Sequence, residues 1–149
     1  MPYADFEQSA KVLDVKRLGK QRVETYQILK VLLHVKKHPQ AKPAWYHHPA
    51  VLMWKGYEKL LCLYGIAMCT EWKLRGYEDS LEKKFVRLLG TISDQKQIPS
   101  WLETPKFHLA HRSNLLRKDP KHYRQYWPKL RSDMEYYWPV TVKTLQGET

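Results

Sequence analysis

The chain has 149 residues, a length that suits one domain around one core. Lys and Arg number 26 against 15 Asp and Glu, which gives a formal net charge of +11 at pH 7. A basic but inert surface is one reading of this excess. A polyanionic partner, nucleic acid before an acidic membrane surface, is the favoured one, because the cations are interleaved with aromatic residues. The sequence has no run of 18 apolar residues, which excludes a membrane-spanning helix of the usual length.

The cysteines and the N-terminal residues indicate the cellular compartment in which the protein is expected. Cys62 and Cys69 lie seven residues apart in an apolar stretch. Two helical turns separate them by about 10 Å, which is too far for a disulfide, so both are predicted to be small buried hydrophobic residues of a reducing compartment. Pro2, Asp5 and Glu7 interrupt the N-terminal segment, and no apolar core follows. We therefore expect no signal peptide and a cytoplasmic protein.

The first half of the chain reads as helical. Residues 4–17 predict a first helix with Phe6, Ala10 and Leu13 facing inward, and Gly19 is a place where it could kink or end. Residues 20–37 predict a second helix that stops before Pro39. A proline-rich loop with the sequence WYHHP follows, and it ends at a proline suited to a first helical turn.

The second half continues the pattern. The longest predicted helix covers about residues 50–75, ends at Gly76 and is apolar on most sides, so it should be the central one, with Gly56 and Gly65 allowing close contacts. Ser80 is the predicted cap of a helix over 80–92. Further helices are predicted over 105–118 and, more briefly, 121–127. Together these segments predict an all-α, single-domain compact bundle around residues 50–75, with an irregular, aromatic-rich C-terminal tail.

A cationic helix face contains the first candidate site. If the helix runs continuously through Gly19, then Arg17, Lys20, Gln21 and Glu24 share one face that continues into apolar residues. A carboxylate between cations and an apolar surface could stabilise a positive transition state or move a proton. The alternative is an ordinary Glu24–Lys20 pair with a purely structural role.

The 105–118 helix is the second candidate. His108, His111 and Arg112 share one face, whereas Asn114 lies on another with two further cations, Arg117 and Lys118. Arg and Asn on a helix can bind phosphates or read base edges. The alternative is a solvated basic helix whose histidines belong partly to the core.

Metal ligands and nucleophiles are sparse. The sequence has no HExxH or CxxC motif, and His34 and His38 are expected at a helix C-terminus, so we predict no metal site. One unconventional nucleophile is available. Removal of Met1 would expose the secondary amine of Pro2, which could attack a sugar C1′, although an ordinary terminus is equally consistent with the residues.

Two stretches carry a resemblance to a known family. LDVKRLGKQRVETYQILKVLLHVKKH and HPAVLMWKGYEKLLCLYGIAMCTEWKLRGYE resemble the pyrimidine-dimer DNA glycosylases, and the motifs PYADF and LAHRSNLLRKDPKHY are similar to uncharacterised bacterial and phage relatives. The resemblance implies an all-α, single-domain enzyme without metal or organic cofactor. It also implies an N-terminal amine and a helical glutamate that cut the glycosidic bond, with strand nicking by β-elimination.

Residue by residue, the resemblance implies Glu24 as the catalytic carboxylate, Arg22 as a phosphate contact and Pro2 as the holder of the amine. The family's usual terminal residue is Thr, and a further Arg expected shortly after the glutamate is absent here. The predicted partner is damaged or modified double-stranded DNA, bound by a monomer. A base would leave the stack, and Trp45, His48 or Trp54 could fill the gap. The predicted DNA-binding residues are Arg17, Lys20, Gln21, Arg22, His48, Trp54, His111, Arg112, Asn114, Arg117 and Lys118.

Two other classes of protein remain open at this point. A non-enzymatic nucleic-acid-binding protein would bind tightly and form no abasic product. A metal-dependent nuclease would need an acidic cluster, for which Glu78 and Asp79 are the only adjacent pair of interest.

Overall fold

A computed structural model of the protein describes residues 1–93 and 98–139, and all regular structure in these ranges is helical. The prediction of an all-α bundle is confirmed, whereas the single-domain assignment stays a prediction. Within the described ranges, no helix has the length and apolar character needed to cross a membrane. The helices are α1 (Phe6–Val12), α2 (Val15–Lys37), α3 (Pro49–Leu52), α4 (Glu58–Leu74), α5 (Glu82–Thr91), α6 (Pro105–Lys118) and α7 (Pro120–Tyr123), with short 3₁₀ turns at Ala44–His47 and Ser100–Glu103.

The break between the first two helices lies at Leu13 and Asp14, so the predicted boundaries of 4–17 and 20–37 were wrong. The Asp14 carboxylate caps α2 by accepting a hydrogen bond from the Arg17 N–H at 3.3 Å. Gly19 does not end a helix. It lies inside α2, where the Trp72 ring packs so closely that a Cβ at position 19 would be 2.9 Å from it.

The predicted helix over 50–75 is two helices, α3 and α4, joined by a turn. Gly56 adopts φ +87°, a conformation that favours glycine, and its N–H donates to the Glu58 carboxylate at 3.2 Å. The turn lets Met53 and Trp54 enter the core, where both are buried. The remaining part, α4, is central as expected, because it packs against α1, α2 and α5.

The later boundaries differ in smaller ways. Asp79, not Ser80, receives the first N–H groups near α5, from Leu81 at 3.2 Å and Glu82 at 2.8 Å. Helix α6 has its predicted bounds, and α7 is shorter than the predicted 121–127. The tail is irregular, and its Tyr137 and Trp138 rings pack against the core. The part of the predicted tail from residue 140 onward lies outside the described residues.

Helices α4 and α5 pack closely at Gly65. An added Cβ on Gly65 would collide with the ring of Phe85, which is fully buried. This confirms that Gly65 permits a close contact, whereas Gly56 belongs to a turn. Cys62 and Cys69 are buried free thiols, as predicted, and burial raises the pKa of Cys62 to about 11 and that of Cys69 to about 12.

Replacing Gly65 by Ala should therefore destabilise the protein by about 1–3 kcal/mol, because the overlap with Phe85 outweighs the better helix propensity of alanine. Gly90→Ala is the matched control. Gly90 is also helical but has open space around its Cβ position, so alanine should stabilise the protein by up to about 1 kcal/mol. Urea unfolding measures both, and equal effects of the two substitutions would contradict the packing explanation.

Candidate active site

A cavity of about 270 Å³ lies where the N-terminal segment meets α2, α4, α6 and the C-terminal tail. It brings together most of the sequence-predicted site residues. Those that line it are Pro2, Arg17, Lys20, Gln21, Glu24, Trp54, His111, Asn114 and Lys118. Several other residues line the cavity without having been predicted as site residues, namely Met1, Met53, Tyr64, Phe107, Tyr136 and Trp138.

Helix α2 supplies the charged wall of the cavity. Lys20 Nζ lies 3.5 Å from the Glu24 carboxylate, so the predicted ion pair exists. The Glu24 side chain nevertheless remains 44% exposed and lines the cavity. Burial raises the pKa of the Tyr64 hydroxyl, and the nearby negative charge of Glu24 raises it further. The Glu24 carboxylate therefore lies near an aromatic residue of the cavity lining. Glu24 therefore both forms the ion pair with Lys20 and lines the cavity.

The N-terminal amine forms the opposite wall. The Met1 nitrogen lies 2.7 Å from His111 Nδ1. Burial lowers the pKa of this amine from 8.0 to about 5, because the charged form loses its hydration. The amine is consequently neutral at pH 7, which is the form that can act as a nucleophile.

Helix α6 holds the N-terminal backbone in place. His108 Nδ1 lies 3.2 Å from the Met1 carbonyl oxygen, and its Nε2 lies 2.6 Å from that of Leu102. The Arg112 guanidinium donates to the Pro2 carbonyl at 2.8 Å and lies over the Tyr3 ring. This face of α6 therefore contacts the N-terminal segment, and the DNA-binding roles predicted for its residues, Arg112 among them, stay predictions.

Aromatic rings close the cavity. Trp54 is 5% exposed and stacks on Tyr64 with ring centroids 5.7 Å apart. A ring packed in this way favours a role as a cavity wall over insertion into a DNA stack. Trp45 is 40% exposed and lines a separate shallow groove with Tyr26 and Lys30, so it remains available for stacking.

Four predicted DNA contacts lie outside the cavity lining, namely Arg112, described above, and three others. Arg22 forms an ion pair with the buried Asp79 carboxylate and lies over the Trp72 ring. Arg117 donates to the carbonyl oxygens of Ser132 and Met134 and so fastens the tail. The third, His48, accepts from the backbone N–H of the residue at position 50 at 3.0 Å and rests against a tail tryptophan. Their DNA-binding roles stay predictions.

The site residues that sequence reasoning missed had weak signals. Tyr64 belongs to a mostly apolar helix, and nothing in its spacing marks it as facing a cavity. Tyr136 and Trp138 stand in a visibly aromatic tail, but sequence does not show where that tail folds back. For metals, the described ranges contain no group of three His, Cys, Asp or Glu residues that could hold an ion.

The N-terminal residue, a carboxylate residue and three cationic residues thus line one cavity of a helical protein. Comparison with known proteins gives the family. Residues 1–85, more than half of the chain, match the family model for pyrimidine dimer DNA glycosylase, and the chain belongs to that family. Its class is therefore that of DNA-repair glycosylases. Searches of curated proteins and of solved structures return no match.

The buried amine predicts a pH-dependent stability. Its pKa is about 5 in the folded state against 8.0 without burial, so the unfolded chain binds the additional proton between these values. The free energy of unfolding should therefore rise with pH from about 6.5 to 8, by at most about 1.4 kcal/mol per pH unit from this group. Urea unfolding across this range measures the slope for protein in which mass spectrometry confirms Met1 as the first residue.

Chemical acetylation of the N-terminus supplies the control, since an acetylated amine cannot titrate. The acetylated protein should lose this part of the slope. An identical slope in both forms would contradict a buried, neutral amine.

Proposed function

We propose that the protein is a DNA glycosylase that removes a damaged or modified pyrimidine from double-stranded DNA through nucleophilic attack by its N-terminal amine. The observation that carries the proposal is the cavity that Met1 and Glu24 both line, with the Met1 amine 2.7 Å from His111 of the same lining. The family match supports the reaction class. The identity of the lesion and an accompanying strand-nicking step belong to the proposal.

The amine supplies the chemistry at C1′. Its nitrogen forms a bond to C1′ while the bond from C1′ to the base breaks and the electron pair leaves with the base. Loss of a proton from nitrogen and opening of the sugar ring then give a covalent iminium, from which β-elimination nicks the strand. The nucleophile is the primary amine of Met1 or, if Met1 is removed, the secondary amine of Pro2, which is buried at the same cavity.

Glu24 supplies the negative charge. As C1′ loses the base, the sugar acquires oxocarbenium character, and a carboxylate at the cavity wall stabilises the developing positive charge. The same carboxylate can transfer a proton to or from the sugar oxygen. Lys20 Nζ forms an ion pair with this carboxylate at 3.5 Å.

Cations around the cavity contact the DNA backbone. Arg17, Lys20 and Lys118 line the cavity itself, where phosphates flanking an extruded residue would lie. Each such contact releases counterions, so binding should weaken as salt is added. A glycosidic bond within a stacked duplex is out of reach, so the proposal includes extrusion of a base before the reaction. We expect the protein to act as a monomer.

Borohydride trapping tests the amine directly. A duplex with a single thymine dimer, incubated with protein and sodium borohydride, should give a covalent adduct whose peptide map ends at the N-terminal residue. Reductive methylation of the amine before incubation should abolish the adduct. Tight binding without adduct or abasic product would instead favour the non-enzymatic binding protein, and excision without adduct would reject the amine as nucleophile.

Replacing Glu24 by Gln should lower the single-turnover excision rate by about 10²–10⁴-fold, because the carboxylate's charge is lost while its shape is kept. Duplex affinity measured by fluorescence anisotropy should change little. Glu103→Gln is the matched control, since this exposed residue lies away from the cavity lining and its loss should leave the rate unchanged. Unaltered excision by the Glu24 variant would remove Glu24 from the mechanism.

A further inference from the structure

Helix α2 makes a second polar contact, on a flank that does not line the cavity. This contact is the ion pair between Arg22 and Asp79, and neither residue belongs to the cavity lining. The Arg22 side chain is 14% exposed and that of Asp79 is 0% exposed, so the pair lies inside the protein. Because the two residues are 57 positions apart, the pair joins α2 to the turn between α4 and α5.

The start of α5 fixes the position of Asp79. Its carboxylate accepts hydrogen bonds from the N–H groups of Leu81 at 3.2 Å and Glu82 at 2.8 Å. Burial tends to raise the pKa of Asp79, but these hydrogen bonds and the one from Arg22 outweigh burial and lower the pKa. The carboxylate is therefore charged at neutral pH and anchored to the backbone, which makes it a fixed partner for Arg22.

The ring of Trp72 packs on α2 at two places beside this pair. Its centre lies 5.0 Å from the Arg22 guanidinium carbon, and it approaches Gly19 so closely that an added Cβ would lie 2.9 Å from it. The indole Nε1 donates to the Glu78 carbonyl oxygen at 2.9 Å. The turn that carries the Asp79 carboxylate therefore also holds this ring in place.

Arg22 and Glu24 leave α2 in nearly opposite directions. Side chains two positions apart on an α-helix differ by about 160° around its axis. Leu18, Thr25 and Leu29 are buried and lie between these two directions, toward the core. A roll of α2 about its own axis would therefore carry Glu24 toward or away from the cavity, and the contact of Arg22 on the opposite flank resists such a roll.

The rotation of α2 matters because the position of a catalytic group strongly affects the rate. A displacement of about 1 Å can lower a rate by about 10²-fold. The ion pair between Lys20 and Glu24 cannot prevent a roll, since both residues lie on α2 and would move together. The placement of the carboxylate therefore depends on contacts between α2 and other elements.

We propose that Arg22 is a positioning residue for Glu24, and that its contacts with Asp79 and Trp72 hold α2 at the rotation that directs the carboxylate to the cavity. The inference rests on the proposed function, since it concerns the carboxylate proposed to act on the sugar. It adds to that function a residue that acts through Glu24 without touching the DNA. The phosphate contact that the family resemblance implies for Arg22 is the alternative role, and the test separates the two.

Breaking the pair from either side tests the proposal. Arg22→Gln and Asp79→Asn should each lower the single-turnover excision rate on a thymine-dimer duplex about tenfold. Because both changes act through one contact, the double variant should also be about tenfold slower, and not slower by the hundredfold product. The Asp79 carboxylate is enclosed and negative, so a loss of rate in its variant cannot come from a lost phosphate contact.

Duplex affinity and its salt dependence distinguish positioning from phosphate binding. All three variants should bind the dimer duplex with wild-type affinity and with the wild-type slope of log K against log salt concentration, whereas loss of one phosphate contact would reduce the slope by about 0.9. Acetylation of the N-terminal amine by acetic anhydride distinguishes positioning from a general loosening of the fold. Its rate should be the same in the variants and in wild type, because the amine side of the cavity is not altered.

Arg75→Gln is the matched control. Arg75 is similarly enclosed, with a side chain 20% exposed, and it pairs with Glu71 and donates to the Ala10 carbonyl oxygen, so it joins α4 to α1. This variant should excise at the wild-type rate.

The double variant leaves no unpaired charge inside the protein, so it decides the matter if a single variant does not fold. Wild-type excision by the double variant, a hundredfold loss in it, a reduced salt slope or faster acetylation of the amine would overturn the proposal. Absence of excision by wild-type protein is a different result, which rejects the proposed function itself.

Discussion

The contact between the N-terminal amine and His111 Nδ1 determines the chemistry available to the cavity. An α-amine in water is mostly protonated at neutral pH and is then no nucleophile. Enclosure at the cavity wall lowers the pKa of this amine to about 5. Such enclosure requires that the adjoining backbone be held in place, and α6 does this with His108 and Arg112. Three polar residues of α6, His108, His111 and Arg112, therefore contact the chain's own N-terminus, and the helix is not a simple solvent-facing basic surface.

The carboxylate side of the site depends on where α2 begins. Asp14 caps the helix, and the Tyr123 hydroxyl donates to the same carboxylate at 2.5 Å. With that start, Arg17, Lys20 and Glu24 fall on the cavity face of a single uninterrupted helix. Burial tends to raise the pKa of Asp14, but the hydrogen bonds from Tyr123 and Arg17 outweigh it and keep the pKa low. The cap thus stays ionised at neutral pH.

Local patterns predicted the features that depend on neighbouring residues in the sequence. The bounds of α6 follow from a proline at its start and an Asp-Pro break after it, and the α2 face follows from helical spacing. The helix boundaries that were predicted wrongly lie near glycines. Gly19 remains helical because Trp72 packs on it, and Gly56 takes a positive φ in a turn. Both outcomes depend on tertiary packing or backbone conformation that composition does not reveal. Arg22 was similarly unpredictable, since its partner Asp79 is distant in sequence.

The two parts of the site come from different parts of the chain. The residues proposed to act on the sugar, the amine and Glu24, lie within the 1–85 segment that matches the family. Two further residues of the cavity lining, His111 and Asn114, lie beyond it on α6. His111 connects the two parts, because its Nδ1 lies 2.7 Å from the N-terminal amine. The nucleophile proposed for the family segment therefore depends on a helix outside that segment, since His111 and His108 both contact Met1.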